Sequence, residues 1–254
     1  MIMYADAAEK ILSAKRCVAF TGAGISVESG IPPFRGEKGL WNKYDPEGFE
    51  IEYFKAYPRE SWEVIRTIFY ELFGQILPNT AHYTLAEMEA RSLIQAVITQ
   101  NVDHLHQDAG NKVVHEFHGS LKKLICLSCG HGCPVSQVDL DSLPPLCSRC
   151  GGILKPDMVF FGEPIPEPTS TQSFKEAQRA DCLLLVGTTG SVAPANMIPA
   201  AAKSRGATII EINPEPSEYT RQITDIYIRE TAGLAMESLM EAVDALEDGS
   251  GPLT

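Results

Sequence analysis

The sequence predicts an α/β fold built around a doubly wound parallel sheet. Short apolar runs of strand length recur along the chain and alternate with stretches of helical character. Such alternation is typical of a parallel sheet that helices cover on both faces. The strand runs are residues 17–20, 96–99, 113–117, 182–186 and 209–212. The helical stretches include residues 81–91, 173–179 and 195–203.

The first strand run leads into a glycine turn, Thr21-Gly22-Ala23-Gly24. Closely spaced glycines after a strand let the backbone approach a pyrophosphate, which the N–H groups of the turn can bind. The same pattern also fits a tight strand-to-helix turn with no ligand. The turn is therefore a weak nucleotide-binding signal by itself.

Polar motifs follow each of the later strand runs. In chain order they are Gln100-Asn101-Val102-Asp103, His118-Gly119, Gly187-Thr188-Thr189 and Asn213-Pro214-Glu215. Ligands of doubly wound sheets bind at the carboxyl ends of the strands, where all these motifs fall. The sequence therefore predicts that they line a single cleft.

Two segments interrupt the alternation of strands and helices. Residues 37–77 contain Trp41, Trp62 and an amphipathic stretch over residues 62–73, which predicts a small helical insert. Residues 121–155 contain most of the cysteines and predict a second insert. The remaining parts, residues 1–36, 78–120 and 156–247, are expected to form the main domain, and residues 248–254 a disordered tail.

Four of the seven cysteines form two Cys-x-x-Cys pairs that are separated by 17 residues. Two such turns can present four thiolates in a tetrahedral array, as in a structural zinc ribbon. A closed shell of four sulfurs leaves no position for catalysis, and redox-active dithiols are the alternative. His131 and Cys133 are expected not to be ligands. The predicted zinc ligands are Cys126, Cys129, Cys147 and Cys150.

The composition indicates which kinds of partner and which cellular compartment to expect. The 254 residues include 33 Asp and Glu against 21 Lys and Arg, a formal net charge of −12. Such a surface repels nucleic acid and attracts basic, lysine-rich segments. No apolar run reaches the ~18 residues of a membrane span, and the N-terminus lacks a signal-peptide pattern. A cytoplasmic protein that binds neither nucleic acid nor membrane is expected.

In their order along the chain, these motifs resemble the sirtuins, the NAD-dependent protein lysine deacylases. The resemblance spans about Ala7 to Val243 and includes Phe160-Phe161-Gly162-Glu163. It implies a Rossmann-like, NAD-binding domain, with both inserts joined in a small domain that contains one structural zinc ion. It also implies that acetyl-lysine proteins or peptides are deacetylated to free lysine, with nicotinamide and O-acetyl-ADP-ribose as the other products.

The resemblance assigns His118 as the general base beside the nicotinamide ribose, with Asn101 and Asp103 as further catalytic residues. An imidazole with a pKa of ~6.5 is mostly neutral at cytoplasmic pH and can accept a proton. Asn101 would hold a ribose hydroxyl or a water, and Asp103 the nicotinamide carboxamide. Both side chains could instead cap the short helix that follows. The implied NAD-binding residues are Gly22, Ala23, Gly24, Phe34, Arg35, Gln100, Asn101, Asp103, Gly187, Thr188, Thr189 and Asn213.

The substrate residues are also implied by the resemblance. Val159, Phe160, Phe161, Gly162 and Glu163 match a segment that pairs with the substrate backbone by strand addition. Val102, Phe161 and Val192 would line an acyl-lysine tunnel. Sirtuins that prefer succinyl or malonyl lysine carry a Tyr-x-x-Arg pair in the helical insert, and residues 62–73 contain none. A neutral acyl group is therefore expected, although Arg66 lies in this stretch.

Two other functions remain open from the sequence. Protein ADP-ribosyltransfer is found among sirtuin-like proteins, but the presence of His118 favours deacylation because that reaction needs a base. A catalytically silent module stabilised by NAD or zinc is the other alternative. The presence of Gln100, Asn101, Asp103 and His118 together argues against it.

Overall fold

The computed structural model describes residues 2–34, 39–72 and 76–249. The α-helices of these ranges are α1 (Ile2–Ser13), α2 (Ile51–Ala56), α3 (Pro58–Ile65), α4 (Thr80–Ala90), α5 (Leu105–Ala109), α6 (Thr169–Arg179), α7 (Met197–Ser204) and α8 (Ala232–Glu247). The strands are β1 (Cys17–Thr21), β2 (Ala96–Thr99), β3 (Val114–Glu116), β4 (Gly119–Cys126), β5 (Gly132–Pro134), β6 (Leu154–Met158), β7 (Cys182–Val186), β8 (Thr208–Ile212) and β9 (Ile226–Ile228).

Six strands form a parallel sheet in the order β3-β2-β1-β7-β8-β9. The strand order reverses between β1 and β7, which pair in register from Cys17 opposite Cys182 to Thr21 opposite Val186. The loops after these two strands therefore leave the same edge of the sheet side by side, the usual place for a ligand. The predicted doubly wound sheet is confirmed.

Helices cover both faces of this sheet. Alternate residues of β1 point to opposite sides, so Cys17 and Ala19 join one apolar cluster and Val18 and Phe20 another. The first cluster includes residues of α1, α4 and α8, and the second includes residues of α6 and α7. Burial on both faces explains why the central strands read as continuous apolar runs.

The sheet has one strand that the sequence patterns did not reveal. β9 is only three residues long, Ile226–Ile228, and two of these residues are half-buried. It pairs with β8 at the edge of the sheet. The third strand is also shorter than predicted, because it begins at Val114 and ends at Glu116.

A second, smaller region packs around an antiparallel sheet in the order β5-β4-β6. Together with α2, α3 and the π-helix Arg66–Leu72 it encloses a separate core rich in aromatic residues. Trp62 is fully buried there and donates through Nε1 to the Leu154 carbonyl at 2.8 Å. Among the helices of the described residues, none has the length and apolar character needed to cross a membrane.

Candidate active site

A cavity of about 560 Å³ lies at the carboxyl edge of the large sheet and is lined by residues of both regions. The cavity brings together nearly all of the predicted site residues. Asp103 is not among its lining residues, and Arg35 lies outside the described residues. The predicted residues that line it are Gly22, Ala23, Gly24, Phe34, Gln100, Asn101, Val102, His118, Val159, Phe160, Phe161, Gly162, Glu163, Gly187, Thr188, Thr189, Val192 and Asn213.

The glycine turn after β1 packs directly against the turn after β7. Gly24 N donates to Gly187 O at 2.8 Å. A Cβ on Gly24 would lie 2.6 Å from Gly187 Cα, and one on Gly22 would lie 2.8 Å from Gly187 O. Gly187 itself has a φ of +65°, in the left-handed region that favours glycine. Close packing of two turns at the cavity floor thus explains all three glycines.

His118 follows β3 and is half-buried at the cavity wall. Its Nδ1 lies 2.9 Å from the Gln100 carbonyl oxygen, which can only accept, so Nδ1 carries the proton and Nε2 has the free lone pair. Burial lowers the pKa of His118, although the Gln100 carbonyl opposes this shift. The imidazole is therefore neutral near pH 7 and can accept a proton.

Gly119 is required by the close approach of two strands. Its φ is +78°, and a Cβ there would lie 2.0 Å from the Asp157 carbonyl oxygen. The start of β4 must therefore be glycine because β6 passes close to it. His118 is placed by the hydrogen bond to Gln100 and by this strand contact.

A buried polar network connects the end of β2 to the glycine turn. Asn101 donates through Nδ2 to the Gly22 carbonyl at 3.2 Å and lies 3.1 Å from Ser26 Oγ. Ser26 donates in turn to Asp103 Oδ2 at 2.7 Å. Ser26 is 1% exposed and was not singled out in the sequence, where only its place after the glycine turn distinguishes it. It is the link between Asn101 and Asp103.

Asp103 lies behind Asn101, where it supports the short helix α5. Its Oδ1 accepts from Leu105 N at 3.0 Å, so the capping interaction considered from the sequence is present. Burial raises the pKa of Asp103, while the N–H of Leu105 and the hydroxyl of Ser26 act in the opposite direction. A carboxyl group in this position readily accepts a further hydrogen bond.

The side of the cavity formed by β2, β7 and β8 is tied together by side chains. Gln100 donates through Nε2 to Thr188 Oγ1 at 2.9 Å, and Asn213 donates through Nδ2 to the Thr188 carbonyl at 3.0 Å. Thr189 Oγ1 lies 2.9 Å from Ser191 Oγ. These contacts fix polar groups along the carboxyl edge of the sheet.

Aromatic side chains of the small region form the opposite wall. The ring centroid of Phe34 lies 5.2 Å from that of Trp41 and 6.4 Å from that of Phe69. Phe160 is 2% exposed, and its ring packs against Phe49. Phe34 and Phe160 were predicted site residues, whereas Trp41, Phe49 and Phe69 were not, because these rings become neighbours only in the folded chain.

The segment Val159 to Glu163 already uses most of its N–H groups within the chain. Val159 N donates to the His118 carbonyl at 2.8 Å and Phe161 N to the Phe49 carbonyl at 2.9 Å. Phe160 N donates to Glu163 Oε2 at 2.8 Å, and Glu163 N to the Phe160 carbonyl at 3.0 Å. A substrate strand can therefore pair with this segment only through its other backbone groups.

Two histidines without a predicted role are explained by packing. His104 has a φ of +70° and its Nδ1 lies 3.3 Å from Glu116 Oε1. His106 is 1% exposed, and its Nε2 lies 2.9 Å from Thr21 Oγ1. Its ring centroid is 4.9 Å from that of buried His82. Burial lowers the pKa of His106 and lowers that of His82 to about 4.

The four predicted metal ligands form one cluster in the small region. Their Sγ atoms all lie within 4.8 Å of one another. Cys126 and Cys147 each begin a similar turn, in which the N–H of Gly130 or Gly151 donates back to the cysteine carbonyl at 2.9 or 2.8 Å. Both glycines have a left-handed φ, of +67° and +73°. The glycines after each Cys-x-x-Cys pair therefore close the two turns.

The geometry of this cluster fits tetrahedral zinc. With Zn–S bonds of ~2.3 Å, neighbouring sulfurs lie about 3.8 Å apart. Cys126 Sγ is 3.5 Å from Cys150 Sγ, and Cys129 Sγ is 3.8 Å from Cys147 Sγ. The N–H of Cys129 lowers the pKa of Cys126 to about 6, which favours the thiolate form that binds metal.

With this geometry in place, comparison with known families is decisive. Residues 22–194 match the model of the Sir2 family. The chain belongs to the Sir2 family. An NAD-dependent protein deacylase 2 of Pyrobaculum aerophilum is 44% identical to this Sir2 chain, over 94% of the chain and 95% of the relative. An NAD-dependent protein deacetylase of Sulfurisphaera tokodaii is 46% identical, over 87% and 88%.

Solved structures of Sir2 proteins have the same fold. A complex of a Sir2 homologue with NAD superimposes with a TM-score of 0.86 at 40% identity, over 94% of this chain and 93% of the other. A Sir2 protein in complex with a peptide and NAD+ superimposes with a TM-score of 0.82 at 32% identity, over 95% and 96%. The resemblance noted in the sequence is therefore confirmed.

The residues of this Sir2 chain fit both groups that the family uses. The cavity volume of about 560 Å³ is within the range of small-molecule sites. Its polar groups lie at the sheet edge, where backbone N–H groups and small side chains can meet a dinucleotide. A solved Sir2 homologue contains NAD, and the four cysteines of this chain are positioned to bind one structural zinc ion.

Proposed function

We propose that this Sir2-family chain is an NAD-dependent protein lysine deacetylase that yields free lysine, nicotinamide and O-acetyl-ADP-ribose. The observation that carries the proposal is the placement of His118. Its Nδ1 is held by the Gln100 carbonyl at 2.9 Å, and its ring faces the cavity that also contains the glycine turn. Relatives of both kinds, deacetylase and deacylase, cover most of the chain.

His118 acts as the general base. NAD, when bound, supplies the ribose that accepts the acyl group as nicotinamide leaves. Because the pKa of His118 is lowered by burial, the imidazole is ready to take a proton from a hydroxyl at Nε2. The Gln100 carbonyl fixes Nδ1–H, so the ring stays in the tautomer that leaves Nε2 free.

Asn101 and Asp103 act from the end of β2. Asn101 is 6% exposed and is held by Gly22 and Ser26, so its amide is preorganised at the cavity floor. Asp103 lies one hydrogen bond further back, where it accepts from Ser26 and so supports the network that holds Asn101. Its proposed contact with the nicotinamide carboxamide rests on the family resemblance. Arg35, which would bind phosphate or order the loop after Phe34, completes the proposed NAD-binding set.

The substrate is proposed to be an acetyl-lysine in a basic segment of a protein. The acidic side chains among the described lining residues are Glu28, Glu163 and Glu215, of which Glu163 is paired with Lys155 and Glu215 with Arg229. The net charge of −12 favours a cationic peptide and disfavours nucleic acid. Val102, Phe161 and Val192 supply the apolar surface for the acyl chain.

Neutral acyl groups are favoured because the helical insert places no cation in the described part of the cavity. Arg66 donates through Nη1 to the Leu140 carbonyl at 3.3 Å and pairs through Nε with Glu71 at 3.0 Å. Tyr70 donates to the Leu121 carbonyl at 3.1 Å. Both side chains therefore contact the zinc-binding insert, and neither lines the cavity.

We also propose the division into a main domain of residues 1–36, 78–120 and 156–247 and a small domain of residues 37–77 and 121–155. The small region has a core of its own, separate from the two clusters on the faces of the large sheet, which supports this division. A reducing compartment such as the cytoplasm suits a four-thiolate site, and no membrane association is proposed.

The test is mass spectrometry of an acetyl-lysine peptide incubated with the zinc-loaded protein, with and without NAD. Loss of the acetyl group only with NAD, together with O-acetyl-ADP-ribose, is the expected result. A peptide that gains ADP-ribose would indicate transfer instead. An unchanged peptide with intact NAD would indicate a binding module.

A further inference from the structure

Lys155 is a buried lysine of β6, and all the partners of its ammonium group lie within the protein. Its side chain is 7% exposed. Nζ donates to the carbonyls of Pro156 at 3.0 Å and Met158 at 2.6 Å, and it pairs with Glu163 Oε2 at 3.0 Å. An ammonium group has three donors, so each has a partner.

The same carboxylate organises the backbone that follows β6. Glu163 Oε2 also accepts from Phe160 N at 2.8 Å, while Glu163 N donates back to the Phe160 carbonyl at 3.0 Å. Lys155 Nζ lies 4.2 Å from the centroid of the Phe160 ring, in a cation–π arrangement. The ion pair thus closes a turn over residues 160–163 and holds it against the aromatic core of the small region.

Stability alone is a weak explanation for such a pair. Burial lowers the pKa of Lys155, although the neighbouring Glu163 carboxylate favours the charged form. Apolar residues of similar volume often stabilise a protein as well as a buried ion pair does, because they avoid the loss of hydration. What an apolar pair cannot supply is the set of directed hydrogen bonds that shapes this turn.

The turn joins the two sides of the cavity. Val159 N donates to the carbonyl of His118, whereas Phe161 is bonded through N to Phe49 and through its carbonyl to Ile51 N at 3.0 Å. Gly162 has a φ of +88° at its apex. A shift of the turn would therefore move the segment proposed to meet the peptide while the glycine turn on the other side stays in place.

We propose that Lys155 and Glu163 form a positioning pair for the peptide substrate. The pair does not touch the acetyl-lysine; it holds residues 159–163 in the shape to which the peptide docks. This inference rests on the proposed deacetylase function and adds that peptide affinity, but not nucleotide affinity, depends on the pair.

The experiment measures equilibrium binding of an acetyl-lysine peptide and of ADP-ribose to the zinc-loaded protein and to its Lys155→Met variant. Methionine keeps the apolar stem but has no donors. We expect the Kd for the peptide to rise at least about tenfold, with the Kd for ADP-ribose unchanged. Lys123→Met is the matched control, because Lys123 is an exposed lysine on the neighbouring strand β4, and both Kd values should stay at the wild-type level.

Glu163→Gln provides a second measurement if Lys155→Met does not fold. Glutamine keeps an acceptor for Phe160 N but removes the charge, so a smaller rise in the peptide Kd, about threefold, is expected. A wild-type peptide Kd in either folded variant would overturn the proposal, and so would an equal rise for peptide and ADP-ribose. Failure of the wild-type protein to deacetylate the peptide would instead count against the proposed function.

Discussion

The central strands of the large sheet are buried at every position, whereas the small antiparallel sheet mixes buried and exposed residues. All five residues of β1 and of β7 are buried, but β5 has none in that class. The large sheet has an apolar cluster on each face, while the small sheet depends on one core, the cysteine cluster and a buried ion pair. Hydrophobic burial can hold the first region without help, and the second region needs specific bonds.

This difference is reflected in the cavity. The large region contributes backbone turns and polar side chains such as Asn101 and Gln100, which are fixed by a rigid sheet edge. The small region contributes aromatic rings, among them Trp41 and Phe69, and its core holds the turn that is proposed to meet the substrate. Loss of the small region should therefore remove activity before it removes the fold of the sheet.

The largest expected effect is the loss of zinc. Structural zinc contributes on the order of 10 kcal/mol to folding in small modules, so Cys126→Ala should unfold the small region and abolish deacetylation. Hydrogen exchange should show loss of protection in β4 to β6 with protection retained in β1 and β7. Cys133→Ala is the control, because Cys133 lies outside the four-sulfur cluster, and it should keep one zinc ion. Full activity of Cys126→Ala without bound zinc would show that the small region does not depend on the zinc site.

Acyl selectivity tests whether the helices of the small region face the cavity as described. Because Arg66 and Tyr70 are bonded to the zinc-binding insert, a succinyl carboxylate would be buried without a partner. That costs several kcal/mol, or roughly a thousandfold in binding. Catalytic efficiency should therefore be much higher on the acetyl form of a peptide than on the succinyl form of the same peptide. Equal values would show that a cation reaches the tunnel.

The pH dependence of stability distinguishes the large region from the small one. The pKa of His82 is about 4 in the folded chain and ~6.5 when unfolded, so the unfolded state binds more protons between these values. Its stabilising contribution is complete above pH ~6.5 and is lost as pH falls towards 4, a change of about 3 kcal/mol. Urea unfolding of the large sheet, followed by hydrogen exchange across this range, should show the slope.

The matched variants for this measurement are His82→Gln and His131→Gln. The first should give a shallower slope, because the buried imidazole is gone. The second changes a histidine of the zinc-binding insert and should leave the slope of the large sheet as it is. If His82→Gln keeps the full slope, another group is responsible for the loss of stability in acid.

The smallest effect in free energy is expected at the junction of the regions, where His118 lies between β3 and β4. His118→Ala should lower deacetylation by roughly two orders of magnitude, the usual scale for a general base, with zinc content and ADP-ribose affinity retained. His115→Ala, on β3 but outside the cavity, should stay near wild-type activity. Near-normal turnover of His118→Ala would remove it from the mechanism.

Features with a local pattern were predictable from the sequence. The central strands were found because burial on both faces leaves continuous apolar runs. The zinc site was found because two Cys-x-x-Cys pairs, separated by 17 residues, supply four thiolates at a spacing typical of a zinc ribbon. β9 was not predicted, because a strand of three residues at the edge of the sheet, two of them half-buried, is too short to show a hydrophobic periodicity.

The arrangement of the site was harder to predict from the sequence, because it depends on contacts between residues that are distant along the chain. Ser26 joins Asn101 to Asp103 across more than 70 positions of sequence, and nothing in its own neighbourhood indicates this. Asp103 was expected at the cavity, but it is placed behind Asn101 by its bond to Ser26 and its cap on α5.

The sequence by itself determined the sheet, the zinc ligands and the set of polar motifs. The apolar runs of the strands and the spacing of the cysteines are patterns of residues that lie close together in the sequence. Only the tertiary structure decided why Gly22 and Gly24 must be glycine, since their constraint comes from the close approach of Gly187. It also decided that Lys155 and Glu163 meet and that Arg66 faces away from the cavity. Such contacts depend on the packing of separate elements, which no local pattern contains.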